Sequence, residues 1–195
     1  MARNSHVKRT TSETQIEISL NLDGTGTQNI QTPVPFLDHM LSQLARHGYF
    51  DLTVKAKGDI QIDSHHTVED VGIALGQAFK EALGDKKGIR RFAEANVPLN
   101  EALAQCIIDI SGRAFFVFNL EFPKAKLGEF DVELVPEFFQ AFAANSGLTL
   151  HLNSPYWKNL HHITEALFKA FARALDSACS LDSRSCDVPS TKGML

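Results

Sequence analysis

Two long runs of the chain carry apolar residues at helical spacing: Val68, Val71, Leu75, Phe79 and Leu83, then Ile163, Leu167, Ala170, Phe171 and Ala174. Each is the stripe of a helix laid on a core. Shorter runs at the same spacing predict helices over Phe36 to Arg46, ended by Gly48, and over Val135 to Ala144. Between them the period changes to two. Thr14 to Leu22 alternates through Ile16, Ile18, Leu20 and Leu22, and Phe50 to Ala56, Ala102 to Ile110 and Leu148 to Leu152 also predict strands. Asp23-Gly24-Thr25-Gly26 and Ser111-Gly112 read as turns, after which Thr27 to Thr32 and Ala114 to Phe122 return as the second arms of hairpins. Pro33 and Pro35 stop the first of these returning strands.

The order is strand, strand, helix, strand, helix, and then the same again. This predicts an α+β fold, internally duplicated, in which each half lays two helices on a small mixed sheet. The registers agree in detail: Glu13 matches Glu101 and Gly24 matches Gly112 at an offset of 88, and His39 stands opposite Glu137 at 98. Such drift is what loop insertions in a copied unit produce. We expect a single domain, residues 1–195, built of repeats over about 6–88 and 89–182 with a tail at 183–195. The connector, Gly84 to Gly88, is short and polar.

The duplication also copies chemistry. His65-His66-Thr67-Val68-Glu69 recurs as His161-His162-Ile163-Thr164-Glu165, 96 positions later, each copy opening a long helix. The Glu shares a helical face with either His, at three or four residues' separation. Adjacent His point about 100° apart at roughly 3.6 residues per turn, which suits handing one imidazole to each of two ions. A lone His pair is ordinarily a surface feature; two in matching contexts, holding four of the chain's eight His, point to metal. Pseudo-symmetry adds His39 and Glu137, giving eight ligands: His39, His65, His66, Glu69, Glu137, His161, His162 and Glu165. Nitrogen and carboxylate donors without sulfur lean toward Mn²⁺ or Fe²⁺, with zinc also competent.

Composition narrows the classes. The chain has 195 residues, 44% of them hydrophobic, and a net charge of −4 with no long block of one sign. That disfavours nucleic acid or an anionic membrane as partner. Neither a secretory leader nor a membrane span is read from the sequence, so a cytoplasmic protein is expected. Cys106, Cys179 and Cys186 are too few and irregular for a disulfide framework, and Cys106 in an apolar strand predicts a buried thiol.

Phe36-Leu37-Asp38-His39-Met40-Leu41, Asp63 to Asp70 around the first His pair, Leu148-Thr149-Leu150-His151, and His161 to Phe171 resemble the imidazoleglycerol-phosphate dehydratase family of histidine biosynthesis. The resemblance runs from about residue 3 to Leu195. It implies a half-domain like the second domain of ribosomal protein S5, present twice, and a homo-oligomer of 24 subunits with Mn²⁺ sites between them. It implies a hydro-lyase that converts D-erythro-imidazole-glycerol phosphate to imidazole-acetol phosphate and water. A metal-bound imidazolate and a diazafulvene-like intermediate are consistent with it, since the proton lost from carbon is not next to a carbonyl.

By the same resemblance Glu13 transfers the proton at carbon, with His39, His66 and Glu165 as catalytic partners. Arg91 and Arg113 match the phosphate-binding arginines, an arrangement suited to paired contacts with phosphate oxygens. Lys169, one turn beyond Glu165, joins them, as do Ser190 and Lys192 of the tail, which could close as a lid. Gln43 and His47 line the pocket. Glu101 and His151 are expected to be structural. Two other readings compete: a binuclear metallohydrolase, and a protein whose His clusters only bolt subunits together.

Overall fold

The computed structural model describes residues 3–195. In chain order it has β1 (Asn4–Thr10), β2 (Thr14–Asn21), β3 (Gln28–Gln31), α1 (Pro35–Gly48), β4 (Asp51–Gly58) and α2 (His65–Leu83). The second half repeats this as β5 (Phe92–Leu99), β6 (Ala102–Asp109), β7 (Phe115–Asn119), α3 (Leu134–Ser146), β10 (Thr149–Tyr156) and α4 (Leu160–Cys179). A small hairpin, β8 (Lys126–Leu127) with β9 (Phe130–Asp131), is inserted before α3. The sheets have equivalent orders, β1-β2-β4-β3 and β5-β6-β10-β7.

The expected hairpins do not form. β3 pairs parallel with β4, and β7 parallel with β10. In each half the strand is followed by a helix and another strand, and such a crossover brings the two strands together in parallel. The place beside β2 is taken by β4, and the place beside β6 by β10. Two strands escaped the sequence reading: β1, which turns only Val7 into the core, and β5, which turns in Ala93, Ala95, Val97 and Leu99. Both are edge strands with small or sparse apolar residues, so their alternation is faint. Gly48 is the last residue of α1, and the left-handed turn follows it at Tyr49 (φ 56°), which closes the helix by donating its N–H to the Ala45 carbonyl.

The four helices lie between the sheets. α2 packs on β1 and β2, α4 on β5 and β6, and the halves join where α2 meets α3 and α1 meets α4. Phe138, Phe139 and Phe142 of α3 interlock with Phe168 and Phe171 of α4, with ring centroids as close as 4.7 Å. The α2–α3 crossing is closer still. A Cβ on Gly76 would stand 2.6 Å from the Phe142 carbonyl oxygen, and one on Gly72 would stand 2.7 Å from that of Phe138. No helix among the described residues is long and apolar enough to cross a membrane.

The outer faces of the two sheets differ. Across the first run Asn4, Asn21 and Asp51, with Thr27 beyond them, then His6, Ser19, Thr53 and Asn29. Across the second, the matching rows hold Phe92, Asp109, Thr149 and Phe115, then Glu94, Ile107, His151 and Val117. Phe92 and Phe115 are 59% and 63% exposed.

Gly76→Val should lower the unfolding midpoint. Overpacking costs about 1–3 kcal/mol, against the few tenths by which Val outranks Gly as a helix former. Denaturant unfolding measures it, and an unchanged midpoint would show that the α2–α3 crossing is loose.

Candidate active site and metal centre

α4 opens on an Asn cap. The Asn159 side chain accepts from the N–H groups of His161 and His162, so both imidazoles leave the first turn in fixed directions. Their planes stand at 86° to each other, and those of His65 and His66 at 88°. The adjacent rings also reach different partners, His161 meeting Glu165 and His162 meeting Glu101.

His161 turns toward α1. Its Nε2 lies 3.1 Å from Glu165 Oε2, and His39 Nε2 reaches the same oxygen at 3.1 Å. The other carboxylate oxygen accepts from Lys169 Nζ at 2.6 Å. Phe36 stands edge-on to both rings. Among the described residues, His39, His161 and Glu165 are the one set of three donors whose ligand atoms lie within 4.8 Å of one another, a group that could hold a metal ion. Burial opposes ionisation of Glu165, but the Lys169 ammonium and the His39 and His161 rings outweigh it and hold the carboxyl at about 2. The donor chemistry fits a divalent cation, which would replace the protons now shared between rings and carboxylate.

The polar seam continues along α1 and α4. His47 Nε2 meets Gln43 Oε1 at 3.1 Å. Burial, together with Lys169 and Arg173 across the seam, pushes the His47 imidazole below its usual range. The corresponding stretch of α2 and α3 is looser: His65 Nε2 is 3.7 Å from Glu69 Oε2, and Glu137 lies half-buried in the first turn of α3 without joining a three-donor group.

The second imidazole of each pair turns toward strand ends. His66 Nδ1 lies 3.0 Å from Asp59 Oδ2, and its Nε2 is 3.9 Å from Glu13 Oε1. The bond to Asp59 raises the His66 pKa. His162 Nδ1 lies 2.9 Å from Glu101 Oε2. Glu101 accepts from the Asn159 N–H, its own backbone and His162, which hold it at about 2. Asp59 was not singled out from the sequence; an acidic residue at the end of an alternating strand was the available signal. Asp70 was missed as well. Buried on α2, it accepts from the Thr14 hydroxyl and the Arg9 guanidinium, and so ties the turn carrying Glu13 to the helix carrying His66.

The phosphate candidates lie elsewhere. Arg91 takes a left-handed backbone at φ 71°, forks onto Asp109 at 2.7 and 3.3 Å, and donates to the Pro189 carbonyl at 2.8 Å. The tail is thereby brought beside Arg91, and Leu195 reaches the backbone of Gly112, next to Arg113. Ser190 and Lys192 are joined by a turn in which the Lys192 N–H donates to the Ser190 hydroxyl. Yet the Arg91 N–H bonds to the Ala178 carbonyl at the far end of α4. From His162 to Ala178 that helix is about 24 Å long at roughly 1.5 Å per residue. His clusters and arginines of one chain cannot share one small substrate.

Comparison with known proteins fits this geometry. Residues 32–175 match the family model described as imidazoleglycerol-phosphate dehydratase. Curated relatives of that name from Geobacter sulfurreducens and Citrifermentans bemidjiense are 60% and 61% identical over 195 residues, covering all of each chain. The crystal structure of imidazoleglycerol-phosphate dehydratase from Staphylococcus aureus superposes with a TM-score of 0.83 at 40% identity, over 92% of this chain and 99% of that one. The Pyrococcus furiosus structure gives 0.84 at 35%, over 97% and 100%. Fold and sequence are therefore those of a hydro-lyase, an enzyme that breaks a carbon–oxygen bond to release water. The chain belongs to the imidazoleglycerol-phosphate dehydratase family, of histidine biosynthesis.

The depressed acid of Glu165 sets a pH dependence in the metal-free protein. Its folded value of about 2 lies below the unfolded value of about 4.3, so the stability it confers is complete above that range and is lost as pH falls toward 2. Thermal unfolding at pH 6, 4 and 3 should show this loss, and Glu165→Gln should flatten it. An identical slope in the variant would contradict the assignment.

Proposed function

We propose that the chain converts D-erythro-imidazole-glycerol phosphate to imidazole-acetol phosphate and water at a site that holds two Mn²⁺ ions. The observation that carries this reading is the convergence of His39 and His161, from different helices, on one carboxylate oxygen of Glu165. With their pseudo-symmetric counterparts His65, Glu69 and Glu137, and with His66 and His162, they form the ligand set. When bound, the ions supply Lewis-acid stabilisation of negative charge on the substrate's imidazole ring.

Glu13 moves the proton at carbon. Its carboxylate is half exposed at the β1–β2 turn, with Oε1 3.9 Å from His66 Nε2, close enough to address a ring held there. The order of events follows from the substrate: ring electrons expel the neighbouring hydroxyl, which leaves as water with the proton shed by the ring N–H. Glu13 takes the proton from the next carbon and returns it to the ring-bearing carbon, while the enol hydroxyl proton goes back to the ring and leaves the ketone. Lys169, along the α1–α4 seam with Gln43 and His47, meets the phosphate end. Arg91, Arg113, Ser190 and Lys192 complete the phosphate site from a neighbouring copy, as the length of α4 requires. The tail, held by the Arg91–Pro189 bond, shields the site from water.

The same constraint calls for more than one copy of the chain, and the family resemblance implies how many. We assign a homo-oligomer of 24 subunits, working in the cytoplasm, in which one chain's arginines face another's His clusters. The exposed Phe92, Ile107 and Phe115, beside Arg91 and Arg113, supply an apolar face suited to a contact between copies. The first sheet, its duplicate, shows only polar residues in the matching rows.

Glu13→Gln should keep metal content and assembly while turnover falls by about 10²-fold or more. A metallohydrolase or a subunit bolt gives no such loss of dehydration. Co-assembly of Glu13→Gln chains with Arg113→Ala chains should then restore activity that neither shows alone, because each supplies what the other lacks. A mixture as inactive as its parents would place both residues in one chain's site.

A further inference from the structure

The two halves use the same turn differently. Glu13 ends the β1–β2 turn and Glu101 ends the β5–β6 turn, at matching positions of the duplication. Glu101 is fully engaged: one oxygen accepts from the Asn159 N–H at 2.8 Å, and the other meets His162 Nδ1 at 2.9 Å. Glu13 makes no such bond, and its nearest imidazole nitrogen is 3.9 Å away. The ring it would have held is held by Asp59, whose two oxygens lie 3.0 and 3.2 Å from His66 Nδ1.

Asp59 reaches this place because β4 ends on Gly58. A Cβ there would come within 2.0 Å of Thr67 Oγ1, so only a bare backbone lets the strand end press on the first turn of α2. In the second half the matching end of β10 is Tyr156 rather than a glycine, and Trp157 stands where the first half has Asp59. A carboxylate on Nδ1 keeps the proton on that nitrogen and leaves the Nε2 lone pair free to ligate. His162 shows the same arrangement, with Asn100 Nδ2 3.4 Å from Nε2 as a donor to that lone pair.

We propose that Asp59 and Glu101 are the positioning residues of the paired imidazoles, and that Asp59, by taking over His66, releases Glu13 from the task its duplicate still performs. The inference rests on the reading of His66 and His162 as metal ligands. It makes the single-copy proton-transfer carboxylate a consequence of divergence between repeats: two structural carboxylates were needed, three are present, and the surplus one faces the reaction.

The test is Mn²⁺ binding to chelator-stripped protein, read by competition with a coloured chelator and independent of turnover. Asp59→Asn and Glu101→Gln should each weaken one class of site about 10–100-fold, the usual effect of losing a carboxylate behind a ligating His. Asp59→Glu should recover part of that loss. Glu13→Gln should bind as the wild type does. Circular dichroism and unfolding midpoints establish that the variants are folded, and Asp59→Glu tests the same contact should Asp59→Asn fail to fold. Unchanged affinity in Asp59→Asn, or a loss in Glu13→Gln as large as in Asp59→Asn, would overturn the inference. Wild-type protein that takes up no Mn²⁺ would overturn the metal reading and this inference with it, an outcome distinct from a variant that binds normally.

Discussion

Imidazoles are useful ligands only when each ring is held at one nitrogen and free at the other. If the paired imidazoles are ligands, as proposed, that requirement falls on the first turns of α2 and α4, which must touch a carboxylate at a strand end on one side and a neighbouring helix on the other. The sandwich of four helices between two sheets meets both demands. Sheets β1-β2-β4-β3 and β5-β6-β10-β7 bring Asp59 and Glu101 to His66 and His162. The α1–α4 seam brings His39 and Lys169 to Glu165. Close packing makes the arrangement stiff: the Phe cluster of α3 and α4 and the glycine-lined α2–α3 crossing leave little slack for the helix starts to shift.

Copying half a gene gave two equivalent frames, and what the enzyme does comes from how they differ. One strand-turn glutamate stayed bound to a His and the other was set free. One sheet kept Asn4, Ser19 and Thr27 on its outer face, where the other acquired Phe92, Ile107 and Phe115. Arg91, whose first-half counterpart is Arg3, meets the end of α4 remote from the His pair, and Arg113 has Thr25 at its matching position. On the proposed reading a monomer carries the parts of a site without being able to close one, and assembly and catalysis rest on the same surfaces.

Much of this was legible from residue order. The HHxxE repeat, the helical stripes from Val68 and Ile163, and the drift of offsets between repeats come from periods of 3.6 and from copying, both of which survive in sequence. The parallel pairings of β3 and β7 were missed because a turn between two alternating runs looks like a hairpin whether or not another strand takes the neighbouring slot. β1 and β5 were missed because edge strands bury few side chains. Asp59 stayed hidden because its partner is set by how a strand end lands on a helix. The fork of Arg91 onto Asp109 is likewise a fact of register, invisible without the β5–β6 ladder.

The claim on which the rest depends is that the twin His–carboxylate clusters hold the ions that make the chain a dehydratase. Titrating metal-stripped enzyme with Mn²⁺ while following turnover of imidazoleglycerol phosphate tests it directly. The account predicts no turnover without metal and activity rising in step with occupancy until about two ions are bound per chain. Full turnover by protein shown to contain no divalent ion would contradict it.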